Sequence, residues 1–207
     1  MLRIWGRKTS SNVQKVLWTC EELAIPFERV DLGGPFGGNK EPAYLAMNPN
    51  GLVPTVDDDG LIIWESNTIM RHLAATRAGG ERLHPKDPPT RTTVERWMDW
   101  QNAALSPPMA TLLFGFYRLP PDKVDQAAMT AARQRCAELW AMVEHQLDGK
   151  DFIAGKNFTL ADISLGIFIH RWHVYPIERP PAPRLKAWYG RLGERPGFRA
   201  HVAGPVS

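Results

Sequence analysis

Apolar side chains in the first part of the chain follow two different periods. Two short runs, the mostly apolar residues 2–5 and the mixed residues 27–32, enclose a stretch in which apolar side chains recur at helical spacing. The runs predict strands, and the spacing predicts a helix that ends near Ala24. Ser10 or Ser11 provides its N-cap. A strand–helix–strand unit of this length implies parallel strands joined by a right-handed crossover.

A hairpin and a further helix complete this part of the chain. A glycine-rich loop at residues 33–38 and a short helix at residues 42–47 come first. Residues 53–56 and the apolar residues 61–64, separated by a tight turn, predict two antiparallel strands. A helix follows from about residue 66. The predicted order of elements is βαβ-α-ββα.

The rest of the chain shows only helical periodicity. Residues 79–89, rich in Gly, Pro and charge, indicate a boundary between an α/β domain at residues 1–78 and an all-α domain at residues 89–207. Pro107-Pro108 should kink or interrupt the first long helix. The predicted helix at residues 159–174 is apolar on nearly all sides, so we expect it to be central and buried. The predicted helices are residues 90–117, 121–148, 159–174 and 184–192.

Composition and charge narrow the function classes. The chain has 207 residues, 43% of them hydrophobic, and a formal net charge of +3, which is too small to indicate nucleic-acid binding. No apolar run approaches ~20 residues, so we expect no membrane-spanning helix and a soluble cytoplasmic protein. Cys20 and Cys136 form neither a disulfide framework nor a C-x-x-C pair, and we expect both to be buried and inert. His170 and His173 have no carboxylate neighbour, so we expect no metal site.

The segment before the third predicted helix has a structural role. Thr159-Leu160-Ala161-Asp162 is similar to a capping box, with Asp where Glu or Gln is usual. We expect Thr159 to cap the helix and Asp162 to bond back to its start. Asp162 would then stabilise the fold and take no part in chemistry.

Three local motifs are more specific than composition. They are Asn48-Pro49-Asn50-Gly51-Leu52-Val53-Pro54, Trp64-Glu65-Ser66-Asn67 and Phe158-Thr159-Leu160-Ala161-Asp162. Together with Trp-Gly-Arg after the first strand and Ser-x-Asn-Val at the first helix, they resemble the cytosolic glutathione transferases, in particular a bacterial serine/asparagine-type branch. The resemblance covers the chain from Leu2 to about Phe198. It implies a thioredoxin-like domain followed by a helical-bundle domain, glutathione as cosubstrate, and a homodimer.

The Val53–Pro54 bond is the first part of the glutathione site that this resemblance implies. X-Pro bonds are trans by default, but the resemblance implies a cis bond here. That geometry turns the Val53 backbone outward, where an extended peptide such as glutathione could pair with it as an added strand. The adjacent Leu52 belongs to the same implied contact.

The resemblance implies further contacts at both ends of glutathione. By themselves, Glu65 and Ser66 indicate an ordinary helix start, and Lys40 indicates a surface lysine. A helix N-terminus nevertheless suits a carboxylate, and Glu65 suits an ammonium group. The resemblance therefore implies that Glu65 and Ser66 bind the γ-glutamyl end. Lys40, and less directly Asn39, are implied at the glycine carboxylate.

Thiol activation is implied at the start of the first helix. A free thiol has a pKa near ~8.5 and is a poor nucleophile while protonated. A hydroxyl that donates to the thiolate, beside a helix N-terminus, lowers that pKa. The resemblance places this hydroxyl at Ser10, with Asn12 as a second donor and Ser11 as the alternative. No tyrosine precedes Tyr44 and no cysteine lies near position 10, which differs from other branches of the family.

The resemblance also implies a pocket for a second substrate. It lies between the loop at Phe36 and helices bearing Phe114, Tyr117, Arg118 and Trp172. Aromatic residues at helical spacing are equally typical of a core, and an arginine at a helix C-terminus is favourable in itself. If Arg118 faces the cleft, it favours an electrophile that carries a carboxylate, such as a halogenated acid.

The implied function is a glutathione S-transferase that activates the glutathione thiol for attack on a small electrophile. One alternative is a glutathione-dependent disulfide or peroxide reductase, which Asn12 beside the site would favour. The other is a non-enzymatic module that retains the fold and binds ligands.

Overall fold

Residues 1–206 are described by a computed structural model of the chain. The strands are β1 (Leu2–Trp5), β2 (Phe27–Val30), β3 (Thr55–Asp58) and β4 (Leu61–Trp64). The helices among them are α1 (Ser11–Glu22), α2 (Pro42–Leu45) and α3 (Ser66–Thr76). The remaining helices are α4 (Pro88–Trp100), α5 (Ser106–Tyr117), α6 (Gln126–Gln146), α7 (Leu160–Val174), α8 (Pro183–Gly193) and α9 (Pro196–His201).

The strands form one mixed sheet in the order β2-β1-β3-β4. β1 and β2 are parallel, as the strand–helix–strand pattern predicts, while β3 runs antiparallel to β1 and β4. Ile4 pairs with Val56, and both are fully buried against the apolar side of α1 and α3. β3 begins at Thr55 and not at residue 53, because Pro54 has no N–H to donate to the ladder.

The helical part contains the predicted interruption at the paired prolines. α4 ends at Trp100, and a π-helical segment, Gln101–Leu105, separates it from α5. Pro107 and Pro108 lie in the first turn of α5. Because neither has an N–H, the normal bonds back to the preceding turn cannot form there, and the irregular segment precedes them.

The start of α6 and the presence of a last short helix differ from the sequence expectation. α6 begins at Gln126 and not at residue 121, since Asp125 accepts hydrogen bonds from the Ala127 and Ala128 N–H groups and defines the start. The final helix, α9, was not expected. It has only six residues, which is too short for periodicity to reveal.

Helix α7 is central and buried, as its composition predicts. Every residue from 160 to 172 is buried, and α1, α3, α4, α5 and α8 all contact the helix. Trp18 from α1 enters the same core, where its ring lies 5.6 Å from Phe158 and 5.3 Å from Phe198. A Cβ on Gly166 of α7 would approach the Trp18 ring to 2.7 Å. The two halves of the chain therefore share one continuous apolar contact.

A buried polar network crosses the same contact. The ammonium group of Lys15 in α1 is fully buried and donates to Gln101 Oε1 at 2.6 Å and to Asn67 Oδ1 at 3.4 Å. Ser164 of α7 donates to the same two oxygens. The Asn67 amide in turn donates to the Met98 carbonyl at 2.9 Å. Gln101, the first residue of the π-helical segment, therefore accepts hydrogen bonds from α1 in the first half of the chain and from α7 in the second.

Asp162 has the structural role that the capping box predicts. Its carboxylate accepts hydrogen bonds from the Thr159 N–H and hydroxyl, the Ile153 N–H and the Trp188 indole N–H, at 2.9 to 3.1 Å. Burial raises the pKa of Asp162 to about 6, although these donors favour the ionised form.

Among residues 1–206, no helix is long and apolar enough to cross a membrane.

Replacing Asp162 with alanine should destabilise the fold strongly. The substitution leaves buried donors unpaired, and we expect the free energy of unfolding to fall by about 3 kcal/mol or more. Denaturant unfolding measures this. The matched control is Asp125→Ala, which removes an exposed cap and should cost about 1 kcal/mol. An unchanged unfolding midpoint for Asp162→Ala would contradict the structural role.

Lys15 should make stability rise with pH. Burial lowers its pKa to about 7 in the folded state, while the unfolded chain retains a pKa of about 10.4. The unfolded state therefore binds more protons between these values, and stability increases as pH rises through that window, at up to about 1.4 kcal/mol per pH unit.

The comparison is urea unfolding of the wild type and Lys15→Met at about pH 6 and about pH 9. We expect the variant to lose most of this pH dependence, whereas Lys186→Met, an exposed control on α8, should retain it. Equal pH dependence in wild type and Lys15→Met would show that the lysine does not titrate in this window.

Candidate active site

A cleft of about 440 Å³ lies where α1, α3 and α5 approach the loop before β3. Nine of the residues singled out in the sequence line it together. They are Ser10, Asn12, Leu52, Val53, Pro54, Glu65, Ser66, Phe114 and Arg118. Both halves of the chain therefore contribute to one concave site, which is the usual form of a small-molecule site.

The loop before β3 is held by the side chains of Tyr44 and Asn48, to which the sequence motifs assigned no individual role. The Val53–Pro54 peptide bond is cis, as the resemblance implies. The Leu52 carbonyl accepts hydrogen bonds from the Tyr44 hydroxyl at 2.6 Å and the Asn48 amide at 2.9 Å. Both side chains also contact the Thr55 hydroxyl. These contacts fix the backbone on both sides of the cis bond.

Helix α3 begins in the cleft with an unusual backbone. Glu65 occupies the N-cap position with φ at 72°, a region that residues other than glycine rarely adopt. Its exposed side chain makes no capping hydrogen bond. Ser66 begins the helix, and its hydroxyl donates to Asn12 Oδ1 at 3.3 Å. Through this contact the N-termini of α1 and α3 lie side by side, and both present positive dipole ends.

Ser10 occupies the N-cap position of α1, but its hydroxyl is not used for capping. The backbone is extended there and the side chain makes no capping hydrogen bond, which corrects the expectation that a serine side chain caps this helix. Ser10 is 8% exposed and lines the cleft. Ser11 is the first residue of α1 and is not among the residues that line it.

Asn39 and Lys40 are not among the residues that line the cleft, but they contact the turn that precedes the cis bond. The Asn39 amide donates to the Gly51 carbonyl at 2.8 Å, and the Lys40 ammonium donates to the Asn50 carbonyl at 3.3 Å. Gly51 has φ at 60°, and a Cβ there would approach Lys40 Nζ to 2.7 Å. The turn therefore requires glycine and brings Lys40 close to residues that line the cleft.

The residues considered for a second-substrate pocket separate into two groups. Phe114 and Arg118 line the cleft, and the Arg118 guanidinium lies 5.3 Å from the Phe114 ring centre. Phe36 is 56% exposed on its loop, and the Tyr117 ring packs 5.9 Å from Tyr175. Trp172 is buried in the helical core, because α7 is covered on all sides.

Arg7 is a cleft residue that the sequence reasoning missed. It lines the cleft with Arg118, and its side chain packs against Gly34 of the glycine-rich loop. Burial lowers the pKa of Arg7, and the nearby charge of Arg118 lowers it further. Its position after Gly6, at the carboxyl end of β1, is a signal that could have identified it, since ligands gather at such strand ends.

The cysteines and histidines lie away from the cleft. Cys20 and Cys136 are buried, and burial raises the pKa of each thiol to about 12. His170 and His173 both contact the ring of Tyr189. Within residues 1–206, no group of three or more His, Cys, Asp or Glu side chains is placed to hold a metal ion.

Comparison with known proteins identifies the relatives of this chain. Residues 9–76 match the N-terminal domain model of glutathione S-transferase, and residues 126–191 match the C-terminal domain model. The chain is 43% identical to glutathione S-transferase GstB of Escherichia coli K12 over the full length of both proteins. It is 28% identical to glutathione S-transferase 3 of Zea mays, covering 98% of this chain and 93% of that one.

The structural comparison gives the same family. A theta class glutathione S-transferase from Xanthomonas axonopodis pv. citri, solved with glutathione bound, superimposes with a TM-score of 0.95 at 42% identity, covering 100% of this chain and 99% of that one. The chain belongs to the glutathione S-transferase family: it is a glutathione transferase, with a thioredoxin-like domain, a helical domain and glutathione as its cosubstrate. The non-enzymatic alternative is therefore set aside.

Proposed function

We propose that Ser10 activates glutathione by donating its hydroxyl hydrogen to the thiolate. The observation that carries the proposal is that the Ser10 hydroxyl lines the cleft at the N-terminus of α1 and is not used to cap that helix. A hydrogen bond to the sulfur and a positive helix end both favour the ionised thiol. Asn12, the second residue of α1, is the second group near the sulfur.

The rest of glutathione would occupy the cleft as an extended peptide. Its γ-glutamyl carboxylate would lie at the N-terminus of α3 beside Ser66, with the ammonium group at Glu65. Its backbone would pair with Val53, beside Leu52 and Pro54. The glycine carboxylate would reach Lys40, which already lies next to the turn before the cis bond. This placement is supported by the side-by-side helix starts of α1 and α3.

We further propose that the electrophile carries a negative charge. Arg7 and Arg118 both line the cleft, and Ala110 and Phe114 add an apolar surface from α5. Guanidinium groups bind carboxylates through charged hydrogen bonds. A small halogenated acid fits this chemistry: the thiolate attacks the carbon bearing the halogen, a C–S bond forms, the C–halogen bond breaks, and halide leaves.

A glutathione-dependent disulfide or peroxide reductase is the second candidate. Asn12 lines the cleft, and an asparagine beside the site favours this reductase activity. With both cysteines buried, the exchanging sulfur would have to come from glutathione itself. A disulfide and a peroxide assayed beside a halogenated acid would separate the two activities.

The proposal includes a cytoplasmic homodimer. An apolar groove between α4 and α6, lined by Trp97, Trp100 and the half-exposed Met142, is suited to a second copy of the chain. Buried free thiols are consistent with a reducing compartment. Light scattering of the purified chain measures the oligomeric state, and a monomer at assay concentration would exclude the dimer.

Substitution of Ser10 tests the thiol activation. Ser10→Ala removes one donor to the developing negative charge, and we expect kcat/KM to fall about a hundredfold near neutral pH. The pH profile should shift upward, because the bound thiol ionises at higher pH. Ser11→Ala is the matched control and should retain most activity. If Ser10→Ala matches the wild type in rate and pH profile, Asn12 or Ser11 takes the activating role.

Substitution of Arg118 tests the class of electrophile. Arg118→Met should lower kcat/KM for a halogenated carboxylic acid by roughly 10- to 100-fold, the value of a charged hydrogen bond. The corresponding neutral amide, which keeps the same halogen, should react at nearly the wild-type rate. Equal losses for acid and amide would exclude recognition of the negative charge.

A further inference from the structure

Arg171 is a buried arginine near the end of helix α7, in which residues 160 to 172 are all buried. It is 4% exposed, whereas arginine is almost never fully buried unless paired. Burial lowers the pKa of its guanidinium, Tyr175 partly offsets this, and the charges of Arg118 and Arg7 lower the pKa further. A buried cation near two others is costly, so its presence calls for a reason beyond packing.

The guanidinium contacts the loop that carries Ser10. Its Nη2 donates to the Thr9 carbonyl at 3.0 Å, across 162 positions of sequence. The next residue is Ser10, whose N–H donates to the Arg7 carbonyl at 3.1 Å. Arg171 therefore holds the turn from Arg7 to Ser10 from the helical half of the molecule.

The charge of Arg171 is not neutralised by the oxygens it contacts. These belong to a backbone carbonyl and to the hydroxyl of Tyr175. Among the charged groups that interact with it across the neighbouring elements, Arg7 and Arg118 are cations, and Lys15 adds a further positive charge below its pKa of about 7. The carboxylate that lines the cleft, Glu65, belongs to the start of α3. In a poorly solvated site such a set of cations favours an anion nearby.

We propose that Arg171 is a positioning residue for thiol activation: it holds the turn that presents Ser10 and places a buried positive charge behind the glutathione sulfur. The inference rests on the proposed role of Ser10. Arg171 neither bonds to the substrate nor moves a proton. The thiol proton leaves to solvent, and the remaining thiolate is favoured by the Ser10 hydroxyl and by this charge.

The test is a titration of enzyme-bound glutathione, followed by the ultraviolet absorbance of its thiolate. In Arg171→Met we expect the pKa of the bound thiol to rise by about one unit, which lowers kcat/KM about tenfold below that pKa. The rates should converge with the wild type at high pH. Arg171→Gln keeps a donor for the Thr9 carbonyl without the charge, and Arg171→Lys keeps the charge. Gln should titrate like Met, and Lys should stay closer to the wild type.

Arg179, in the segment that follows α7, provides the matched control. It donates to the carbonyls of Trp172, His173 and Tyr175 and so closes the end of α7. Arg179→Met should lower the unfolding temperature without moving the pKa of the bound thiol. A wild-type thiol pKa in Arg171→Met and Arg171→Gln would overturn the proposal, even if both variants are less stable.

The two proposals fail in different ways. If wild-type enzyme does not lower the thiol pKa of bound glutathione, or if Ser10→Ala leaves it unchanged, the role of Ser10 is wrong. If Ser10→Ala raises it and the neutral variants of Arg171 do not, only the role of Arg171 is wrong. Should Arg171→Met fail to fold, the comparison of Gln with Lys gives the same decision, because both retain a donor and differ in charge.

Discussion

Helix α7 carries apolar side chains on all its faces, so every face must be covered by another part of the chain. α1 and α3 cover it from the sheet side, and α4, α5 and α8 cover the rest. Because α1 and α5 both pack on this helix, the start of α1 and the side of α5 are held across a gap that becomes the cleft. The position of the active site thus follows from the burial of one helix that contributes no residue to its lining.

Two helix starts and one loop provide the chemistry of the cleft. The N-termini of α1 and α3 adjoin through Ser66 and Asn12, which concentrates two positive dipole ends where an anionic peptide would bind. The cis Val53–Pro54 bond is held by Tyr44 and Asn48, whose hydrogen bonds to the Leu52 carbonyl order the loop without a ligand. A preformed site of this kind reduces the ordering that binding would otherwise require.

Buried cations are the main departure from an ordinary core. Lys15 and Arg171 are both buried, and burial lowers the pKa of each. Lys15 lies on α1, whose start lines the cleft, and Arg171 contacts the loop that carries Ser10. Both bond to neutral oxygens. Proteins usually keep such costly groups near functional sites, where the local field serves binding or catalysis. The polar network around Lys15 also links α1, α3 and α7 where the two halves meet.

The sequence by itself determined the motifs and most of the strands and helices. Strand and helix periods are local properties, so the order βαβ-α-ββα, the interruption at Pro107-Pro108 and the capping box at Asp162 could be predicted. The motif of residues 48–54 and the helix start at Glu65 are contiguous segments as well, so the resemblance to a known family could suggest them as glutathione-binding candidates.

Only the tertiary structure decided which side chains meet. Arg171 lies 162 positions from Thr9, and no local pattern reports a contact over that distance. The burial of Lys15 depends on the π-helical segment that brings Gln101 to it. Arg118 reaches the cleft while Trp172 remains in the core, since the direction of each depends on how α5 and α7 pack. Periodicity fixes the face of a helix, but the partner of that face is set by packing across the whole chain.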